Sequence, residues 1–295
     1  MKLQNAFFSR LWKGFAMGVA AIIPGISGGT IAFLLGIYDE IIEAINQLRH
    51  QFKQSFTILL PIGLGVVLAI VALTIPVGLA FQYFPLPTVS LFAGLILGGL
   101  PLLAKKATIK KDVFSMTTIL IPALIAISLG VFSVVGQLDA TAILTDANVL
   151  PKFSLILIGA LGVSAFIVPG ISGSMLLLSL GFYEPVLSSL ERILEALPNP
   201  FQAGNDLLNF VFLGVGLLVG FVLISALMGY LLKHHPRAVY LAVFGFVAGS
   251  LFSVFFNFEI NPAYDSLNVF QGVLSGITLI GGTILSYRFN TTYAS

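Results

Sequence analysis

The chain is laid out as long apolar runs separated by short polar stretches, and two of the runs are interrupted in the same way. Residues 11–23 are apolar and stop at Pro24. Their 13 residues would reach about 20 Å as helix, short of a hydrocarbon core of about 30 Å, so this run cannot cross a bilayer alone. A second segment runs from residue 28 to about 46 and turns polar at Asp39, Glu40 and Glu43; Arg49, His50 and Lys53 then mark water. Runs 56–84, 86–104 and 113–136 are each long enough to span. Pro61, Pro76 and Pro122 inside them predict kinks. The second half repeats the plan: 153–168 is short and ends at Pro169, 173–190 is followed by polar residues, and spans 207–232, 239–258 and 267–287 follow.

The interruptions are near copies. Pro24-Gly25-Ile26-Ser27-Gly28-Gly29-Thr30 recurs as Pro169-Gly170-Ile171-Ser172-Gly173-Ser174. At equal spacing come Gly36-Ile37-Tyr38-Asp39 and Gly181-Phe182-Tyr183-Glu184. A Pro-Gly pair breaks a helix, because proline lacks the amide donor and glycine weakens what remains. In lipid, broken backbone survives only where protein buries it or it lines a cavity. A shift of 145 also puts Gly14 on Gly159, and a shift of 151 puts Gly63 on Gly214, Gly94 on Gly245 and Gly98 on Gly249. The order and constant offset point to a duplication, with residues 1–148 as the first copy and 149–295 as the second, in one membrane domain.

Composition settles the solvent. The chain of 295 residues is 58% hydrophobic and 9% charged, far below the roughly 25% charge of soluble domains. This is an all-α polytopic membrane protein, and its small net charge of +2 gives no reason to expect nucleic acid. The absence of cysteine excludes disulfides and thiol chemistry. No cleavable signal is evident, since the first apolar run leads into the first break rather than to a small-residue cleavage site.

Charge then separates two topologies. If each interrupted unit is a hairpin entering and leaving by one face, 12 of the 14 Lys and Arg share a face, and only Lys152 and Arg192 lie opposite. If each unit crosses once, the split is seven and seven. The positive-inside rule favours the hairpin and places both termini in the cytoplasm. Each half is then one re-entrant helical hairpin plus three transmembrane helices. Three is odd, so the second repeat is inverted and the two tips meet near the midplane, as in secondary transporters.

At such tips the amides of Gly28, Gly29 and Thr30, and of Gly173, Ser174 and Met175, point inward, and Ser27, Thr30, Ser172 and Ser174 add hydroxyls. Helix N-termini with glycine and hydroxyls suit an oxyanion. The plainer reading is that these residues cap helices and allow close packing. Arg10 and Lys13, beside Trp12, either anchor the interface or attract an anionic head group. Asp39, Glu40 and Glu184 lie about ten residues past the tips, where solvated or capping acids are expected and proton coupling is the sharper alternative. His234 and His235 read as part of a basic loop. Gly94-x-x-x-Gly98 and Gly245-x-x-x-Gly249 read as helix-packing sites. No residue pattern calls for a metal or cofactor.

The doubled Pro-Gly-Ile-Ser-Gly stretch with its Gly-x-Tyr partner resembles the two signature stretches of the PopT-type polyprenyl-phosphate transporters, and the resemblance covers nearly the whole chain. The second copy departs from the first at Ser174 and Met175, so the two half-sites need not contribute equally. The resemblance implies a carrier returning undecaprenyl phosphate from the outer to the inner leaflet of the cytoplasmic membrane by alternating access. Its partners would be that lipid and the surrounding membrane lipids, and a homo-oligomer is compatible with it. A transporter or channel for a small soluble anion is the rival. An enzyme would need clustered acid–base or metal-ligand residues, whereas the tips carry only hydroxyls and glycines.

Overall fold

The computed structural model describes residues 2–22, 27–135, 141–146, 148–196, 203–256 and 268–293, and among these it is helical without strands. Among the described residues, six helices are long and apolar enough to cross a membrane. They are α4 (Phe52–Tyr83), α5 (Pro85–Ala107), α6 (Val113–Val135), α11 (Gly204–His234), α12 (Pro236–Ser253) and α13 (Val269–Tyr293). The helices continue through Pro61, Pro76, Pro101 and Pro122. Their outer faces are apolar: Val71, Ile75 and Val269 are 76%, 73% and 84% exposed, as expected where the solvent is lipid.

Shorter helices fill the space around the breaks. The first half has α1 (Lys2–Ile22), α2 (Gly28–Leu34) and α3 (Tyr38–Gln47). The second has the one-turn α7 (Thr141–Thr145), then α8 (Phe153–Ile167), α9 (Gly173–Ser179) and α10 (Tyr183–Glu195). Helix α2 folds back along α1, so that a Cβ on Gly28 would lie 3.4 Å from the Met17 carbonyl. Helix α9 returns beside α8 in the same way, with Leu177 next to Gly162.

One sequence expectation is corrected. Residues 28–46 and 173–190 read as single helical segments, but each is two helices separated by a left-handed glycine, Gly36 (φ +69°) and Gly181 (φ +73°). The end of α2 is a Schellman motif: Gly36 N–H donates to the Phe33 carbonyl (3.1 Å) and Ile37 N–H to the Ala32 carbonyl (3.0 Å). The end of α9 repeats it through Gly181 to Leu178 and Phe182 to Leu177, both 2.9 Å. The apolar periodicity runs on across the turn and hides this stop. Only the glycine and the acids that follow it, Asp39 and Glu40 in the first turn of α3, mark a new N-terminus.

Helix pairing recurs at the offsets found in the sequence. Helix α1 packs on α4, and α8 on α11. A Cβ on Gly14 would meet the Ile62 carbonyl and one on Gly65 the Leu11 carbonyl; in the second half Gly159 meets Leu213 and Gly216 meets Ile156. Every member is shifted by 145 or 151 from its counterpart. The remaining spans exchange partners: α5 packs on α13 and α12 on α6. Gly94 and Gly98 abut Leu279 and Thr283, while Gly245 and Gly249 abut Ile119 and Ala123. Both Gly-x-x-x-Gly pairs thus act as the packing sites expected of them, letting backbones meet without side chains between.

Candidate functional site

The backbone of the break in the second half is described throughout, whereas Pro24, Gly25 and Ile26 of the first lie outside the described residues. Ser27 and Ser172 occupy the N-cap positions of α2 and α9 with matching backbone, φ −101° and ψ 132° against φ −92° and ψ 129°. Ser27 Oγ accepts from the Gly29 amide at 3.2 Å, so this hydroxyl does cap its helix. The Thr30 amide donates to the Ser27 carbonyl at 3.0 Å. Two of the three amides expected to face a ligand in the first copy therefore already have partners. Both helices are only seven residues long, so hydroxyls and glycine backbone matter more at these breaks than a helix dipole.

The two breaks touch. The Gly170 amide donates to Thr30 Oγ1 at 2.7 Å, and the Tyr38 hydroxyl donates to the Ile167 carbonyl at 2.7 Å. Ile167 ends α8, so its carbonyl is one that the break leaves without an intrahelical donor. Tyr38, from the repeated Gly-x-Tyr pattern, thereby closes a helix end belonging to the other half. Burial makes these polar contacts consequential: Thr30 is 1% exposed, Tyr38 3%, Ser27 5% and Ser172 6%. Gly28 and Gly29 are buried beside them, and Gly173 is half-buried. The Ser174 and Glu184 side chains lie outside the described set.

The glycines divide by cause. Gly170 has φ +90°, and a Cβ there would press on Phe246 and Val247 at 2.5–2.7 Å, so fold alone demands it. Gly28 is different: an added Cβ would make only ordinary contact with Met17. Packing does not require a bare backbone at Gly28, which leaves room for a ligand-based reason.

Charged residues gather beneath α2. Arg10 pairs with Glu40 at 2.6 Å and ties α1 to α3. Asp39 accepts from the Tyr240 hydroxyl at 2.9 Å. Asp39 and Glu40 thus serve contacts between helices. Lys13 is half-buried in the field of Glu40 and Arg10. In the sequence Lys106 has no role beyond being one of the 12 basic residues expected to share a face. Its Nζ lies 5.5 Å from the Phe33 ring centroid and 5.9 Å from that of Tyr240. No ion pair holds it among the described residues. Nothing in the one-dimensional pattern separates it from Lys105; only the packing of α5 against α2 and α12 does. Nearby, an open chamber of about 660 Å³ lies between α3 and the α11–α12 corner, with Asp39, Glu43, Asn46, Lys233 and Tyr240 on its wall.

The other end of the molecule holds the two exceptional cations. Lys152 is fully buried, and its ammonium donates to the Asp146 carbonyl, Asn205 Oδ1 and Asn209 Oδ1 at 2.7–2.8 Å. Arg192 pairs with Asp206 at 2.7 Å, and Ser189 also donates to that carboxylate. In the α5–α6 connection, Ser115 and then Arg237 hold the Asp112 carboxyl well below the usual carboxylate range.

Six apolar spans among the described residues, around paired and buried helix breaks, define a multi-pass α-helical membrane protein. A family model described as undecaprenyl phosphate translocase-like matches residues 17–266. The chain belongs to that family. It is 34% identical over 289 residues to a polyprenyl-phosphate transporter of Staphylococcus aureus (strain NCTC 8325 / PS 47), covering 96% of each chain. It is 29% identical over 262 residues to a polyprenyl-phosphate transporter of Vibrio cholerae serotype O1 (strain ATCC 39315 / El Tor Inaba N16961), covering 83% of this chain and 76% of the relative. No solved structure matches the chain.

Proposed function

We propose that this protein is a carrier for a polyprenyl phosphate, undecaprenyl phosphate above all, and that the phosphate head crosses at the two paired breaks. Residues 1–148 and 149–295 act as inverted repeats, each with one re-entrant hairpin and three spans. Ser27, Gly28, Gly29 and Thr30 face Ser172, Gly173 and Ser174 across the path of the head group. The observation that carries this reading is the buried hydrogen bond from the Gly170 amide to Thr30 Oγ1. It sets a donor and a hydroxyl face to face in an apolar interior, where unfilled polar groups are costly. Those are groups a phosphate oxygen can engage once the bond opens. With the breaks 1–6% exposed at Ser27, Thr30 and Ser172, the head gains access only when the halves part. That requirement is alternating access. Lys106, with Arg10 and Lys13, offers the anion a station at the inner mouth, and isoprenoid tails stay in lipid throughout.

The proposed orientation has both termini in the cytoplasm, with the protein in the cytoplasmic membrane returning spent lipid from the outer leaflet. Its two charge exceptions are internally compensated: Lys152 is buried among three acceptors and Arg192 is paired. No covalent step is involved, so the protein is not an enzyme in this reading.

A leaflet-resolved assay of polyprenyl phosphate in liposomes tests it. Thr30→Val keeps shape and removes the hydroxyl, and should lower the rate at least tenfold; Lys106→Gln should lower it less, with Lys106→Arg restoring it. Wild-type rates in Thr30→Val would place the site elsewhere. Uptake of inorganic phosphate without lipid movement would favour the soluble-anion rival.

A further inference from the structure

An apolar groove of about 390 Å³ lies between α1, α2, α5 and α13. Residues at helical spacing build it. Helix α1 presents Trp12, Phe15, Ala16 and Ala20, all on one face, and α2 presents Ile31 and Leu34. Leu95 and Ile96 of α5 form the opposite wall. Exposure grades from Leu285, at 63%, to Leu34 and Ala20, at 5% and 3%, so the groove leads inward from the lipid-facing surface.

Lipid is as apolar as the groove, so transfer from water does not explain what fills it; shape and dispersion must. The alanines at 16 and 20, one turn apart, line the groove together with the rings of Trp12, Phe15 and Phe92. Small side chains set among rings leave room for a chain that carries methyl branches, which a straight acyl chain fills less well. The surroundings select an acidic amphiphile. The wall formed by α2 starts at Thr30's neighbour Ile31, directly beside the paired breaks.

We infer that this groove seats the head-proximal isoprene units of the transported lipid and makes the carrier selective for polyprenyl over acyl phosphates. The inference rests on the carrier reading above. Trp12 is the chain's one tryptophan, so its fluorescence reports on the groove directly.

The full chain in nanodiscs is titrated with a long-chain polyprenyl phosphate and, separately, with phosphatidic acid. Polyprenyl phosphate should bind at least tenfold tighter and shift Trp12 emission, and phosphatidic acid should not shift it. Ala16→Leu and Leu95→Phe fill the groove from opposite walls. Either variant, with wild-type melting, should bring polyprenyl phosphate down to the phosphatidic acid level and leave phosphatidic acid unchanged. Polyprenyl phosphate binding that leaves Trp12 unmoved, equal binding of the two lipids, or a preference kept in both variants overturns the groove and leaves the carrier reading standing. Failure of the wild type to bind polyprenyl phosphate overturns both.

Discussion

At the scale of single residues, the site turns on which glycines and hydroxyls the fold itself uses. Ser27 caps α2 and Gly170 is forced by its backbone, so neither identity by itself argues for a ligand. Gly28 has space for a methyl group and is glycine all the same. The two glycines should therefore respond oppositely to alanine. Gly28→Ala should leave folding within about 1 kcal/mol of wild type, because a helical glycine gains from the change. If a phosphate must approach that backbone, the same variant should lose most of its transport. Gly170→Ala should cost roughly 1–3 kcal/mol through strain at positive φ, before the contact with Phe246 is counted. Thermal melting in detergent paired with the liposome rate separates the cases. A Gly28→Ala protein that folds and transports normally would return Gly28 to a merely structural role.

At the scale of elements, six spans and two interrupted units were legible because apolar run length and proline-glycine pairs are local signals. The Schellman turns at Gly36 and Gly181 were not, since a seven-residue helix and its successor share one apolar rhythm. Lys106 was invisible for another reason: its place over Phe33 and Tyr240 depends on α5 meeting α2 and α12, a tertiary fact. The contact between the breaks was expected from charge and parity, but its agents were not. Thr30, named as a ligand residue, accepts from Gly170, and Tyr38 serves the end of α8. The turn offers a clean test. A Cβ on Gly36 would meet nothing within 4 Å, so Gly36→Ala carries only the left-handed backbone cost, about 1–2 kcal/mol. Gly36→Asn should recover much of that loss, because asparagine tolerates this conformation. Equal melting of the alanine variant and wild type would mean that α2 and α3 fuse without penalty.

At the scale of the whole molecule, α5 pairs with α13 and α6 with α12, so spans of the first half pack on spans of the second. The proposed carrier reading further requires the halves to be inverted across the membrane, and that is a statement about sides. Hairpins and single crossings differ sharply here. With hairpins, Ser9 and Lys110 share a side and Asn148 lies opposite. With single crossings, Ser9 shares a side with Asn148 and Lys110 lies opposite. All three residues are exposed, and the chain has no cysteine of its own. Single Ser9→Cys, Lys110→Cys and Asn148→Cys variants can thus be probed in intact cells with a membrane-impermeant maleimide. Only Asn148→Cys should react before permeabilisation. Lys152 gives this expectation its physical force. A lysine on the outer side violates the charge bias unless its charge is taken up internally, and three oxygen acceptors at 2.7–2.8 Å in a fully buried pocket do that. Reaction of Lys110→Cys from outside without Ser9→Cys, or of Ser9→Cys together with Asn148→Cys, would mean that the interrupted units cross the bilayer, and the breaks would then cease to be opposed tips.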